Sequence, residues 1–153
     1  MGGKDFSISI AVPQSPDEVF SAVNKVREWW ADGIEGSTDG VGSEFVFRYQ
    51  DMHHSVQRLT ESVPGEKVVW RVLESRISFT ERKNEWDGTD LVFEIAGKDG
   101  GSELTFTHVG LTPALECYEA CTSGWSFFVG ESLRGLITGG KGEPEHTVGA
   151  VGA

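Results

Sequence analysis

The sequence predicts an α+β fold in which a curved antiparallel sheet of six to seven strands wraps around one long C-terminal helix, with short helices after the first strand. Three observations carry that expectation. Apolar residues alternate with polar ones from Phe6 to Val12 and again in runs between Glu44 and Val109, the period of half-buried strands. The period then lengthens to three and four: Ala114, Cys117, Tyr118, Cys121, Trp125, Phe128, Val129, Ser132, Leu133 and Leu136 share one broad face of a helix between Thr112 and Thr138. Between the first strand and the others lies a compact helix start, Ser15-Pro16-Asp17-Glu18. The apolar helix face needs a partner surface, and a helix laid across a curved sheet leaves a cavity between them.

Each element has a local reason. Phe6, Ile8, Ile10 and Val12 alternate with Ser7, Ser9 and Ala11, and Pro13 stops that strand. Ser15 is placed as N-cap, Pro16 at the first helical position and Glu18 to complete a capping box. Val19, Phe20 and Val23 form the inward stripe, which resumes with Val26, Trp29 and Trp30 in a further turn or two. Asp32 to Gly42 is a glycine-rich loop with three carboxylates; it follows a helix and lacks the Lys-Ser/Thr ending of a phosphate-binding loop, and its acidic spacing does not match a Ca²⁺ loop. It is expected to be a solvated loop at the cavity mouth. Phe45, Phe47 and Tyr49 mark a strand, Gln50 to His53 a turn, and Val56 to Val63 the return strand. After the Pro64-Gly65-Glu66 turn, Lys67 to Glu74 places Val68, Trp70 and Val72 on one side and Val69, Arg71 and Leu73 on the other. A short strand around Ile77 to Thr80 leads into a charged segment, Glu81 to Gly88, that contains Trp86. Leu91, Phe93 and Ile95 alternate in Thr89 to Ala96, Lys98 to Gly101 turns, and Glu103 to Val109 returns with Leu104, Phe106 and His108 on one face. Thr112 is suited to cap the long helix and Pro113 to its first turn. A single domain is expected over residues 5–140, with a glycine-rich tail at 141–153 too polar to order itself.

Composition excludes several classes. With 13 basic against 24 acidic side chains the net charge is −11, which repels phosphate backbones and anionic headgroups, so neither nucleic acid nor membrane is an expected partner. No apolar run approaches the roughly 18 residues that span a bilayer, and Met1 to Asp5 lacks the apolar core of a secretory signal. A cytoplasmic location is expected. The two cysteines, Cys117 and Cys121, lie one helical turn apart with side chains along the axis, a poor geometry for a disulfide, and read as buried thiols. No metal or cofactor is expected.

Specific stretches sharpen the fold. Val12-Pro-x-Ser-Pro-Asp-Glu-Val-Phe20, Trp29-Trp30, Gly42-x-x-Phe45, Pro64-Gly-Glu-Lys-Val-Val-Trp70, Trp86-x-Gly-Thr89 and Thr105-Phe-Thr-His-Val-Gly110 resemble the SRPBCC superfamily, which includes START and Bet v 1-like domains. Within it the chain most resembles the group related to the C-terminal domain of the activator of Hsp90 ATPase, over about Phe6 to Gly140. The resemblance implies the helix-grip fold. It also implies binding of lipids, sterols, polyketides or other apolar molecules between sheet and helix, where some members catalyse cyclisation or hydrolysis. The activator itself carries a separate N-terminal domain with an Asn-x-Asn-Asn-Trp-His-Trp motif that is not present in this sequence, which argues against ATPase stimulation.

An apolar cavity with a few polar groups is the general form of a small-ligand site. The candidate wall is Trp30, Phe47, Tyr49, Trp70, Phe79, Phe93, Phe106, His108, Tyr118, Trp125 and Phe128, which the two periods place on inward faces. Ordinary core packing is the competing reading for each. His108 is the sharpest polar candidate, able to orient a ligand or move a proton, or simply to bond within the core. His53 and His54 fall at the expected hairpin turn, and Arg58 and Arg71 suit either surface ion pairs or an anionic head group. No Gly-x-Ser-x-Gly elbow and no His-Glu-x-x-His motif occurs, and no catalytic residue is assigned. The favoured reading is a non-enzymatic binder of a small hydrophobic or amphipathic molecule. Two alternatives stand beside it: a chaperone-interaction protein of the Hsp90-activator type using the sheet face or the Trp29-Trp30 edge, and a cyclase or hydrolase using His108 with Tyr49. A monomer or homodimer fits each.

Overall fold

Seven strands form one antiparallel sheet in the computed structural model, which describes residues 5–31, 34–37, 40–49, 53–77, 86–113, 115 and 118–143. They are β1 (Phe6–Val12), β2 (Glu35–Gly36), β3 (Glu44–Tyr49), β4 (His53–Val63), β5 (Lys67–Ile77), β6 (Asp90–Lys98) and β7 (Gly101–Val109), in spatial order β1-β7-β6-β5-β4-β3-β2. Strands β2 to β7 are a meander, and β1 closes onto β7 with Phe6 opposite His108 and Val12 opposite Ser102. The helices are α1 (Pro16–Asn24), α2 (Val26–Trp29), α3 (Tyr118–Phe127) and α4 (Arg134–Gly139), the last two joined by a π-helical stretch, Phe128–Leu133. Among the described residues no helix is long and apolar enough to cross a membrane.

The expected capping box is present. The Ser15 hydroxyl accepts from the Glu18 amide at 3.3 Å, and the Glu18 carboxylate accepts from the Ser15 amide at 3.1 Å. Asp99 at φ 50° and Gly100 at φ 82° make the two-residue link between β6 and β7, so β7 begins at Gly101 rather than at Glu103.

Other boundaries move for physical reasons. β4 starts at His53, so His53 and His54 belong to the strand and not to the turn; Tyr49 pairs with His53 and Arg48 with His54. β5 runs to Ile77, the first residue of the separate strand expected over Ile77 to Thr80, whose other residues lie outside the described ones. The loop from Asp32 to Gly42 contains β2, whose Gly36 lies so close to β3 that a Cβ would meet the Glu44 carbonyl oxygen. Arg27 clips the same loop, donating from Nε to the Ile34 carbonyl and from Nη2 to that of Gly36, both at 2.7 Å. The long helix begins at Tyr118, not at Thr112. The Leu111 carbonyl still accepts from the Phe6 amide, which extends the sheet's pairing, and the Leu115 amide turns back to the Thr112 carbonyl before the helix starts.

Two irregularities bend the sheet around the helix. Pairing between β4 and β5 slips between Val56 and Gln57 and again between Leu59 and Glu61, leaving Leu73 and Thr60 as the extra residues. On the helix, Trp125, Val129, Leu133 and Ile137 are buried at four-residue steps. Such a step overshoots a full α-helical turn by about 40°, and the wider π turn offsets that drift so the stripe keeps facing the sheet. Gly130 lies within that stretch, where a Cβ would press on Ile8 of β1 at 3.3 Å.

The chain remains against the fold beyond residue 140, where the tail was expected to begin. Gly142 is buried, with a Cβ position overlapping the Glu28 carbonyl oxygen. The buried Ser132 hydroxyl donates to the Trp29 carbonyl at 2.7 Å and accepts from the Glu143 amide at 2.6 Å, so one side chain ties α2, the helix and residues 141–143 together. Residues 144–153 lie outside the described residues. Ser132→Ala is expected to lower stability by about 1–3 kcal/mol, the cost of leaving those buried groups unanswered, against about 1 kcal/mol for Ser15→Ala at the α1 cap; urea denaturation checks both, and an unchanged Ser132→Ala midpoint would contradict the bridge.

Candidate functional site

The concave face of the sheet is filled by rings. All five tryptophans of the chain are buried there. Trp30 stacks on Phe47 with centroids 4.4 Å apart, stacks on Trp70 at 6.1 Å, lies 5.0 Å from Trp125 of α3 and meets Phe45 edge-on at 6.1 Å. Trp29 stacks on Trp30 at 6.0 Å, and Trp86 stacks on Trp125 at 5.8 Å, so the tryptophans form one continuous chain. Phe93 contacts Trp29, Trp70 and Phe106, and Phe106 lies 4.6 Å from Trp125.

Of the candidate wall, Trp30, Phe47, Trp70, Phe93, Phe106, His108 and Trp125 are thus buried and adjacent. Tyr118 and Phe128 are half-buried at the margin, and Phe128 packs its ring against Phe127 at 5.3 Å. The Tyr49 side chain and Phe79 lie outside the described residues, as does Cys117. The Trp29-Trp30 pair is not an exposed edge: the side chains are 0% and 2% exposed, and the Trp29 indole donates to the Val23 carbonyl at 3.0 Å, which draws it inward.

His108 is held in one tautomer by its neighbours. An indole nitrogen can only donate, so the Trp125 Nε1–H at 3.1 Å requires an unprotonated Nδ1 on His108. The proton therefore sits on Nε2 and is given to the Thr89 hydroxyl at 2.9 Å, which in turn donates to the Trp86 carbonyl at 2.6 Å. Both imidazole nitrogens are engaged head to tail within the core. That arrangement fixes Trp125 and Trp86 and leaves neither nitrogen for a substrate. Gly110 makes room for it, since a Cβ at its φ of 102° would meet Thr89 Cγ2 at 2.7 Å.

Trp86 and Thr89, quoted in the resemblance as a motif, were not placed in the candidate site because Glu81 to Gly88 has no period. The turn chemistry was the available signal. Asp87 accepts from the Ser75 amide and hydroxyl at 2.6 and 2.9 Å, Gly88 takes φ 75°, and the Trp86 and Gly88 amides bond back to Ser75 and Val72 of β5.

The concave face of β4 holds the other unanticipated feature. Ser55 and Gln57 are fully buried there, opposite Phe47 and Phe45 on β3. The Gln57 amide nitrogen donates to the Ser55 hydroxyl at 3.0 Å, while its Oε1 has no partner. The indole nitrogen of Trp70, diagonally across on β5, is also buried without a partner. Neither atom touches solvent.

The solvent face of the sheet is polar. Ser7 and Ser9 on β1 pair hydroxyls with Thr107 and Thr105 on β7 at 3.1 and 3.0 Å. Arg58 binds Glu44 at 2.6 Å, and Arg71 binds both oxygens of Asp90 at 3.0 and 3.1 Å, so these arginines serve cross-strand pairs rather than a ligand's head group. The hydrogen bonds that Arg71 donates to Asp90, and that carboxylate's charge, raise the Arg71 pKa above its already high ordinary value. A depression of about 540 Å³ on this side, lined by Glu61, Glu66, Glu94, Glu103 and Lys67 and by none of the rings, is open to water.

No protein-family model and no curated protein matches this sequence. Solved structures do match its fold. The Aha1 dimer from Colwellia psychrerythraea has TM-score 0.71 and 23% identity, covering 91% of this chain and 99% of that one. Protein MLL2253 from Mesorhizobium loti has TM-score 0.69 and 13% identity over 88% and 96% of the two chains. DynU16, from the dynemicin biosynthetic locus, has TM-score 0.62 and 18% identity; the match covers 89% of this chain and 48% of DynU16. At these identities the likeness is one of fold: the chain has the helix-grip architecture that these proteins share.

If His108 is structural, Thr89→Val should destabilise the protein by about 1–3 kcal/mol through the orphaned Nε2–H, and should shift the emission of Trp86 and Trp125, as denaturation followed by fluorescence would show. A variant as stable as the parent would contradict this role.

Proposed function

We propose that this protein is a non-enzymatic, cytoplasmic binder of a small, largely apolar molecule held between the concave sheet face and the C-terminal helix. The observation that carries this reading is that two of the buried side-chain atoms left without a hydrogen-bond partner, Gln57 Oε1 and Trp70 Nε1, lie on neighbouring strands of the concave face. Leaving such an atom without a partner costs about 1–3 kcal/mol, and native proteins keep few of them. Their position among Trp30, Phe45, Phe47 and Val72 matches the form of a ligand site, mostly apolar with a few placed polar groups. The resemblance to SRPBCC domains points to the same place, and DynU16, of the same fold, comes from the dynemicin biosynthetic locus. The ligand site takes in the candidate wall residues Trp30, Phe47, Trp70, Phe93, Phe106 and Trp125, with Tyr49, Phe79, Tyr118 and Phe128 as its expected margin.

The chaperone-interaction reading would have to use the sheet's solvent face, which carries hydroxyls and ion pairs, since Trp29 and Trp30 are buried. An enzyme using His108 would have to break the imidazole's bonds to Trp125 and Thr89. A homodimer is compatible with ligand binding and is favoured by the dimeric Aha1 structure of the same fold. Native mass spectrometry of protein purified from its own host, before and after denaturation, is expected to show a small molecule that leaves on unfolding. Identical masses in both conditions would overturn the proposal.

A further inference from the structure

We infer that the ligand presents an uncharged hydroxyl to the notch formed by Ser55, Gln57 and Trp70, so that the site selects neutral alcohols or phenols over carboxylates; this rests on the ligand-binding reading above. The chemistry of the notch limits what it accepts. Trp70 Nε1 can only donate and so requires an acceptor. Gln57 Oε1 requires a donor. Turning the carboxamide over would let Ser55 donate to its oxygen and leave the NH₂ group unanswered instead, so one half of Gln57 stays open either way. In the orientation observed a hydroxyl answers both groups, its oxygen accepting from Trp70 and its proton given to Gln57 Oε1; with the carboxamide reversed, its oxygen accepts from both nitrogens.

Register places the two groups within reach of one such head. Gln57 faces Val72 and Leu59 faces Trp70, which makes Gln57 and Trp70 diagonal neighbours on the concave face, with Cβ atoms about 7 Å apart. Charge excludes the alternative. The buried polar side chains among the described residues are Ser55, Gln57, Thr89, Ser102, His108 and Ser132, none a Lys or Arg, and the nitrogens of His108 are already engaged. A buried carboxylate would find no counter-ion there, and desolvating it unpaired is strongly unfavourable. The rings around the notch, Phe45, Phe47 and Trp30, suit a flat apolar body.

Calorimetric titration with 2-naphthalenemethanol, 2-naphthoate and 2-methylnaphthalene, repeated with 1-decanol and decanoate, separates the possibilities. The alcohols are expected to bind about tenfold or more tighter than the matched hydrocarbon and carboxylates. Gln57→Leu, and independently Trp70→Phe, which keeps the ring and deletes the N–H, are expected to reduce that preference while retaining hydrocarbon binding; a thermal melt confirms that each variant folds. Equal binding of alcohol and hydrocarbon, as when a trapped water answers both atoms, would overturn the hydroxyl inference and leave the ligand-binding reading intact. Tightest binding by the carboxylates would do the same. Binding by none of the probes would overturn the inference, and together with an empty protein by native mass spectrometry would remove the ligand-binding reading as well.

Discussion

Trp30 is the contact on which the interior depends. Its ring lies between the sheet, through Phe47 and Trp70, and the C-terminal helix, through Trp125. It reaches that position because α2 is only one turn long and is held to α1 by the Lys25 amide and by the Trp29 indole. A side chain of this size, contacting three other tryptophans, sets the spacing of sheet and helix, and truncating such a ring in a core typically costs about 3–5 kcal/mol. Ser132 secures the same corner from the helix side by bonding the Trp29 carbonyl. The grip of sheet on helix is therefore built around an aromatic wedge.

Around that wedge the protein divides its polar groups by purpose. Trp125, His108 and Thr89 form a relay in which indole N–H, imidazole N–H and hydroxyl each meet an acceptor, ending on the Trp86 carbonyl, and such a network specifies one packing. Ser132 is answered on both sides. On β4 the bookkeeping stops short: Gln57 and the neighbouring Trp70 keep open positions although they are as deeply buried as anything in the fold. The engaged imidazole of His108 and the open positions of Gln57 and Trp70 are the two observations on which the proposed division between structural core and ligand notch rests.

Much of the architecture was legible in the sequence because one local rule governed each piece. The Ser15-Pro16-Asp17-Glu18 cap, the Asp99-Gly100 turn and the alternation of Leu91, Phe93 and Ile95 follow from local chemistry and appear as expected. The notch was harder to read because the bulges at Thr60 and Leu73 break the period of two, so the phase that turns Gln57 inward is obscured by Val56 beside it. Trp86 stands in a charged, aperiodic stretch of sequence, and its place is set by the bonds of Asp87 and of its own amide to Ser75. The start of the long helix was misplaced because Pro113 and Thr112 form a plausible N-terminus locally, while pairing of Leu111 with Phe6 decides the matter from across the sheet. What remained out of reach in each case was a long-range contact.

The most direct measurement is a high-resolution crystal structure of the protein taken from its own host without delipidation. The account predicts density for an organic molecule against Trp30 and Phe47, with an oxygen in hydrogen-bond reach of Trp70 Nε1 and the Gln57 carboxamide. Density for a lone water there, or a Gln57 rotamer that pairs with protein groups and closes the notch, would contradict it.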